Sequence, residues 1–133
     1  MKEFEKLLVI MAKLLGKDGC PWDIKQSHDS LLKYLREEVK EFEAAVKKKD
    51  IENMKEELGD ILLQVVFHCE LARKEKYFDI KQVISTLNDK LIIRHPHVFL
   101  KRKKISASEV IRQWNRIKKK EKAVKRGIND HRK

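Results

Sequence analysis

The amino-acid sequence predicts an all-α protein, a helical bundle of about four to five helices. Apolar residues recur every three or four positions along most of the chain, which places them on one face of a helix. Only 4 Gly and 2 Pro interrupt the 133 residues, so few positions oppose helix formation. No segment of useful length alternates apolar and polar residues as a half-buried strand does. Long helices that pack through apolar stripes are therefore expected.

Five stretches have helical periodicity, and most have a recognisable boundary. Ser27 or Asp29 is expected to cap the second helix. Pro96 ends the fourth, because proline disfavours helix in the residue before it. Ser106, with Glu109 three positions later, forms a capping-box pattern that opens the fifth. The predicted helices cover approximately residues 2–16, 27–49, 51–76, 79–94 and 107–122.

The length fits one domain, predicted over residues 1–123 and followed by a basic C-terminal tail at 124–133. Residues 16–23 contain glycine and proline and are predicted as an ordered loop. The net charge of +11 lies in residues 101–133, which hold 14 basic and 3 acidic side chains. Such an excess indicates either a polyanionic partner (phosphate, nucleic acid or an acidic protein) or a solvated lysine-rich surface.

Several classes of protein are disfavoured by what the chain contains. No apolar run approaches the roughly 20 residues of a membrane-spanning helix. The N-terminus begins with charged residues and has no signal-peptide core. Cys20 and Cys69 form neither a CxxC motif nor a disulfide framework. We therefore expect a cytoplasmic protein with no membrane partner.

Two pairs of acidic residues stand on consecutive predicted helices. Glu38 and Glu41 lie three residues apart on the second helix, and Glu57 and Asp60 lie three apart on the third. Three residues turn about 300° around a helix, so each pair shares a face, at the edge of the apolar stripe. One such pair is commonly just a solvated helix face. Two pairs on helices that pack antiparallel can instead meet and hold a cation.

The chemistry of four gathered carboxylates favours a hard divalent ion. Like charges repel and raise each other's pKa unless a cation compensates them, and oxygen ligands suit Mg²⁺, Mn²⁺ or Ca²⁺. A di-iron bundle would need Glu-x-x-His motifs, and no histidine here has a glutamate three positions before it. Gly59 stands between the two acids of the third helix, where its low helix propensity suggests close packing.

The order of short motifs along the chain points to a known family. The relevant segments are Gly19-Cys-Pro-Trp-Asp23 with Gln26 and His28, Ser30–Glu38, Glu57–His68, Lys90–Phe99, and Trp114 with Ile117, Lys118, Glu121 and Lys122. Together they resemble the MazG-type nucleoside triphosphate pyrophosphohydrolases of the all-alpha NTP pyrophosphatase superfamily. The resemblance covers residues 5 to 123 and is closest to the first domain of family members with two tandem domains.

The resemblance implies hydrolysis of an NTP or dNTP to the monophosphate and pyrophosphate, a role in nucleotide-pool housekeeping, and assembly as a homodimer or higher homo-oligomer. Its metal ligands correspond to Glu38, Glu41, Glu57 and Asp60. Mg²⁺ is the implied cofactor, with Mn²⁺ as a substitute.

Further site residues follow from position and from the resemblance. Glu37 is next to the metal ligands and is the candidate general base. The resemblance assigns Lys90 and Arg94 to phosphate binding, Trp114 to base stacking and Lys118 to a phosphate contact. A lone tryptophan on an amphipathic helix is otherwise more often a core residue.

Two other functions remain open at this point. The basic stretches 101–104 and 118–126 suit a nucleic-acid-binding helical protein. A catalytically silent homologue that acts as a regulatory subunit would also keep this helical pattern. Four clustered acids are unexpected in a nucleic-acid-binding module, because they repel phosphate unless a metal ion neutralises them.

Overall fold

The computed structural model describes the backbone of residues 1–131 and the side chains of residues 1–127. It is helical, with no strand among the described residues. This confirms the predicted all-α class. The helices are α1 (Lys2–Leu15), α2 (Pro21–Ile24), α3 (His28–Lys48), α4 (Ile51–Lys74), α5 (Ile80–Arg94), α6 (Pro96–Phe99) and α7 (Ala107–His131). None of the described helices has the length and apolar character needed to cross a membrane.

The five long helices match the predicted ones. The structure differs from the prediction by two additional short helices and by the end of the last helix. Helices α2 and α6 are extra single turns that begin at Pro21 and Pro96, because proline presets the backbone angle of a first helical turn. The end predicted near Lys122 is wrong, since α7 continues to His131. The predicted tail is thus partly helical, and its last two residues, Arg132 and Lys133, lie outside the described residues.

The chain divides into two compact units, one over Met1–Val83 and one from Ile84 onward. The predicted domain of residues 1–123 therefore contains the first unit and most of the second. The first unit holds α1 to α4, and the second holds α6, α7 and most of α5.

The core of the first unit forms where α1, α3 and α4 meet. Met11 and Leu15 from α1, Leu31 from α3, and Val66 and Phe67 from α4 are at most 3% exposed and form one cluster. Burying an apolar side chain of this size stabilises the fold by about 1.5–3 kcal/mol. This cluster holds the first half of α3 and the second half of α4 against α1.

The connection between α3 and α4 positions the predicted metal ligands. Ser27 caps α3 by accepting a hydrogen bond from the Ser30 backbone N–H at 3.1 Å, as predicted. At the other end Lys49 adopts the left-handed conformation with φ 56°, and Asp50 caps α4 by accepting from the Asn53 N–H. Because only these two residues separate the helices, α3 and α4 pack antiparallel as a helical hairpin.

The apolar stripes of α3 and α4 are only partly buried within the chain. The buried part is the end that faces α1, whereas several members nearer the α3–α4 turn are 40% to 50% exposed. These exposed residues are Val39, Val46, Leu58, Leu62 and Val65. Periodicity predicted an apolar stripe on each helix, but on α4 it included the exposed Val65 and left out the buried Val66 and Phe67. No helix of the first unit covers the exposed residues of the two stripes.

We expect Leu31→Ala to lower the free energy of unfolding by about 2–5 kcal/mol, because Leu31 is 0% exposed and truncation leaves a cavity in the α1–α3–α4 cluster. Urea unfolding followed by circular dichroism measures the change. The control Val9→Ala, at a 57% exposed position of α1, should cost less than about 1 kcal/mol. Equal effects of the two substitutions would contradict this description of the core.

Candidate metal centre

Three carboxylates gather where α3 packs against α4. Glu38, Glu41 and Glu57 each offer an oxygen, and these atoms all lie within 4.8 Å of one another. Asp60, one turn further along α4, is half-buried, and its charge acts on both Glu38 and Glu57. The antiparallel hairpin thus brings the two acidic pairs together. Glu37 is exposed and does not belong to the group of three.

The like charges change how readily these groups ionise. Burial raises the pKa of Glu38 to about 8, with further contributions from a proton shared with Glu57 and from the negative charges of Glu41 and Asp60. The hydrogen bond with Glu38 acts to lower the pKa of Glu57, but burial and the charges of Glu41 and Asp60 outweigh it and raise that pKa above its ordinary value. Without a cation the cluster therefore holds a proton near neutral pH.

Two buried oxygens of the cluster lack a hydrogen-bond donor in the part of the chain that the structure describes. These are Glu38 Oε2 and Glu57 Oε2, and apart from a proton shared between the carboxyl groups themselves, no group supplies one. A buried carboxylate oxygen without a partner costs free energy unless a donor or a cation reaches it. Together with Glu41 the donor set is all oxygen, which Mg²⁺ and Mn²⁺ prefer. The residues therefore fit a hard divalent ion.

Gly59 does not mark a close approach, so the sequence-based interpretation of this glycine is wrong. A methyl group built on Gly59 would meet nothing within 4 Å. The position lies on an exposed part of α4, between Leu58 and Asp60. Gly59 therefore lowers the helix propensity of α4 beside the cluster without a packing reason inside this chain.

Gln64 is a polar residue near the cluster that the sequence analysis did not single out. It follows Asp60 by four residues on α4, so it lies on the same helix face one turn away. Gln64 is 7% exposed, and its Oε1 has no hydrogen-bond partner among the described residues. A glutamine within an apolar stripe was the available signal.

A histidine pair joins the start of α3 to α4. The Nδ1 atoms of His28 and His68 are 2.7 Å apart, so one ring donates to the other, and the rings stack with an interplanar angle of 11°. Burial and the neighbouring His28 lower the pKa of His68. His68 is thus a partly buried residue held by its contact with His28.

In the second unit, Arg94 and Trp114 come together. Arg94 is 7% exposed, and its guanidinium carbon lies 5.0 Å from the centre of the Trp114 ring, a cation–π distance. A guanidinium nitrogen of Arg94 donates to Glu121 Oε2 at 2.8 Å, and this bond with Arg94 lowers the pKa of Glu121. The edge of the His95 ring packs against Trp114 at 5.1 Å. Trp114 is therefore held in place rather than fully buried.

The two lysines of the predicted nucleotide-binding set are exposed. Lys90 lies one turn before Arg94 on α5, and its charge reaches Glu121. Lys118 lies one turn after Trp114 on α7. Glu121 was not predicted as a partner of Arg94, because a pairing across 27 residues leaves no local pattern.

Residues 26–99 match the model of a protein family described as the MazG nucleotide pyrophosphohydrolase domain. The matched region includes all four candidate metal ligands together with Lys90 and Arg94.

Two individual proteins with similar sequences carry names that agree with the family match. The chain is 51% identical over 123 residues to the nucleoside triphosphate pyrophosphohydrolase/pyrophosphatase MazG of Thermotoga maritima, covering 92% of this chain and 47% of that protein. It is 39% identical over 126 residues to the nucleoside triphosphate pyrophosphohydrolase of Escherichia coli, covering 94% and 48%. The chain thus spans about half the length of these curated relatives.

A solved structure supports the same relationship. The fold is similar to the crystal structure of a mazG-related protein from Thermotoga maritima, with a TM-score of 0.74 and 36% identity, over 86% of this chain and 98% of that one. The match of more than half the chain to the family model, and this likeness over nearly the whole of a solved relative, confirm the resemblance noted in the sequence. The chain belongs to the MazG nucleotide pyrophosphohydrolase family.

Proposed function

We propose that this protein hydrolyses nucleoside triphosphates, ribo or deoxy, to the monophosphate and pyrophosphate, with Mg²⁺ as cofactor and Mn²⁺ as a substitute. The observation that carries the proposal is the group of three carboxylates within 4.8 Å, two of which have a buried oxygen without a partner. Relatives from Thermotoga maritima and Escherichia coli are named for this activity. Nucleotide pools belong to the cytoplasm, where we place this housekeeping role.

Glu38, Glu41, Glu57 and Asp60 are the residues that would hold the metal. When bound, the ion neutralises phosphate oxygens and stabilises the negative charge that develops during hydrolysis. By holding the ion between α3 and α4, the carboxylates would fix where the triphosphate binds. In its absence, Glu38 retains a proton near neutral pH, because burial raises its pKa to about 8.

The remaining residues bind substrate and move the proton. Water attacks the α-phosphorus, the α–β phosphoanhydride bond breaks, and pyrophosphate leaves. Glu37, exposed beside the cluster, accepts the proton of the attacking water through a carboxylate oxygen. Lys90 and Lys118 extend exposed ammonium groups that attract the triphosphate.

Arg94 and Trp114 form the proposed nucleotide-binding pair. The guanidinium over one part of the Trp114 ring limits the orientations of that ring, which favours stacking on a nucleobase. Glu121 supplies the carboxylate that Arg94 contacts in this structure, at 2.8 Å. A phosphate oxygen has the same hydrogen-bonding character, so Arg94 can exchange this carboxylate for substrate.

We also propose that a second copy of the chain covers the exposed half of the α3 and α4 stripes. Val39 and Val46 on α3, and Leu58, Leu62 and Val65 on α4, form a set of exposed apolar residues around the carboxylate cluster. Exposed apolar surface of this kind is characteristic of protein interfaces. A homodimer or higher homo-oligomer would bury it.

Glu57→Gln should lower pyrophosphate release by at least about 100-fold, because it removes one metal ligand while keeping the size of the side chain. Production of monophosphate and pyrophosphate is measured with each NTP and dNTP plus Mg²⁺. The control Glu56→Gln changes the neighbouring exposed glutamate of α4 and should retain activity. Unchanged turnover in Glu57→Gln would refute the metal centre. Absence of turnover in the unsubstituted protein would instead favour the silent regulatory alternative.

Without divalent ions, the stability of the protein should fall as pH rises from about 4.5 to about 8. Glu38 has its ordinary pKa of 4.5 in the unfolded chain and a pKa of about 8 in the folded one. The folded state therefore binds more protons across this range, and stability decreases with rising pH. Thermal unfolding at several pH values measures the slope, which Glu38→Gln should flatten.

Added Mg²⁺ should raise the unfolding temperature more at pH 8 than at pH 6, because protons compete with the metal at the same oxygens. Equal stabilisation at both pH values, or an identical pH slope in Glu38→Gln, would contradict the proposed proton-holding cluster.

Leu62→Glu should convert the proposed homo-oligomer to monomers. The substitution places a charge among the exposed apolar residues of α3 and α4, where Leu62 is 40% exposed. Sedimentation equilibrium measures the mass. The control Val9→Glu introduces the same charge at a 57% exposed valine of α1 and should leave the mass unchanged. An unsubstituted protein that is monomeric at all accessible concentrations would refute this part of the proposal.

A further inference from the structure

The second unit contains a basic groove between the segment that follows α6 and the first turns of α7. The groove encloses a cavity of about 600 Å³. Lys101 and Lys103 lie on one side, Arg112 and Arg116 on the other, and Leu100 contributes an apolar wall. We refer to this cavity and the one beside it as the basic groove.

The neighbouring cavity extends the groove past the loop. It has a volume of about 490 Å³, shares His97 and Lys103 with the first cavity, and adds Arg102 and Lys104. Six cationic side chains therefore line one continuous feature, and Glu109 is the single acidic residue on its lining. None of the six forms a salt bridge among the described residues.

Helix α7 carries this positive charge beyond the groove. Arg112 and Arg116 lie on a helix face that continues to Lys119, Lys120 and Arg126, all within an arc of about 120°. At 1.5 Å per residue, the distance from Arg112 to Arg126 is about 21 Å. The surface is therefore longer than one nucleotide, which favours an extended polyanion over a small one.

This face is separate from the proposed nucleotide-binding residues of the same helix. Trp114 and Lys118 lie about 160° around the α7 axis from the centre of the basic face. The basic groove thus uses a different face of α7 from the one that carries Trp114 and Lys118.

Exposed apolar residues border the cations. Phe99 is 60% exposed and Leu100 is 85% exposed, and Leu100 lines the groove. The His97 ring, which lines both cavities, is fixed by a 2.9 Å hydrogen bond to Gln113. Proteins that bind single strands combine cations for the phosphates with aromatic rings on which bases stack, and Phe99 and His97 are the aromatic rings here. A duplex would offer its backbone and base edges but not its base faces, because its bases are stacked on one another.

We propose that the basic groove and the basic face of α7 bind a single-stranded nucleic acid, whose phosphates follow the lysines and arginines and whose bases contact Phe99 and Leu100. The excess positive charge of residues 101–133 would then serve to bind the phosphates of the strand. This binding is independent of triphosphate hydrolysis, since none of its residues belongs to the proposed metal centre or nucleotide-binding set.

The test measures fluorescence anisotropy of labelled single-stranded DNA and RNA of about 20 nucleotides with the full chain. If four to six cations contact phosphates, raising the salt from about 50 to 150 mM should weaken binding about 20- to 100-fold. Arg112→Glu with Arg116→Glu should weaken it at least about tenfold and reduce the salt dependence. Phe99→Ala should weaken it about fivefold without changing the salt dependence, because it removes a stacking contact.

A matched control separates the groove from general charge effects. Lys2→Glu with Lys6→Glu makes the same change of charge at two exposed α1 positions that are also four residues apart, and should alter affinity less than twofold. Thermal unfolding checks that each variant is folded. Pyrophosphate release measured on the same preparations should be retained in the arginine variant, so failure of the groove and failure of the metal centre are distinguishable.

Several results would overturn the proposal. Equal loss in the lysine control would show a general charge effect, and unchanged affinity in the arginine variant would exclude the groove. Duplex DNA that binds as tightly as single strands would remove the role of the bases. Full displacement of the strand by ATP alone, or by an acidic peptide at the same charge concentration, would indicate a small-anion or protein-binding site.

Discussion

The antiparallel packing of α3 against α4 is the constraint on which the candidate site depends. It places Glu38 and Glu41 beside Glu57 at distances within 4.8 Å, where like charges repel. The apolar core centred on Leu31 and Val66 holds the helices together despite this repulsion. Apolar burial beside the cluster therefore stabilises an arrangement that is electrostatically unfavourable.

This arrangement would link cation binding to folding in the proposed enzyme. A protein that only needed stability would place polar, hydrogen-bonded or apolar groups where Glu38 and Glu57 now leave buried oxygens without partners. The raised pKa of Glu38, about 8, is the consequence in the metal-free state. The proposed metal ion and a proton would compete for the same oxygens.

In the second unit, the arginines occur in two different environments. Arg94 is buried and held by an ion pair with Glu121 and a cation–π contact with Trp114. Arg112 and Arg116 are exposed and form no salt bridge among the described residues. The first arrangement suits recognition of one defined group, and the second suits a surface that attracts phosphates over some distance. In the two proposals, α7 would contribute to two functions through two different faces.

The sequence by itself determined the helical class, the five long helices and the order of the acidic residues, because periodicity, caps and i,i+3 spacing are local properties of the chain. It did not reveal that α7 passes Lys122, that Gly59 is unpacked, or that half of the α3 and α4 stripes stays exposed. Nor did it indicate Gln64 or the pairing of Arg94 with Glu121. These features depend on which helices meet and how far each contact extends, and only the tertiary structure decides that, because burial and pairing are properties of residues distant in the chain.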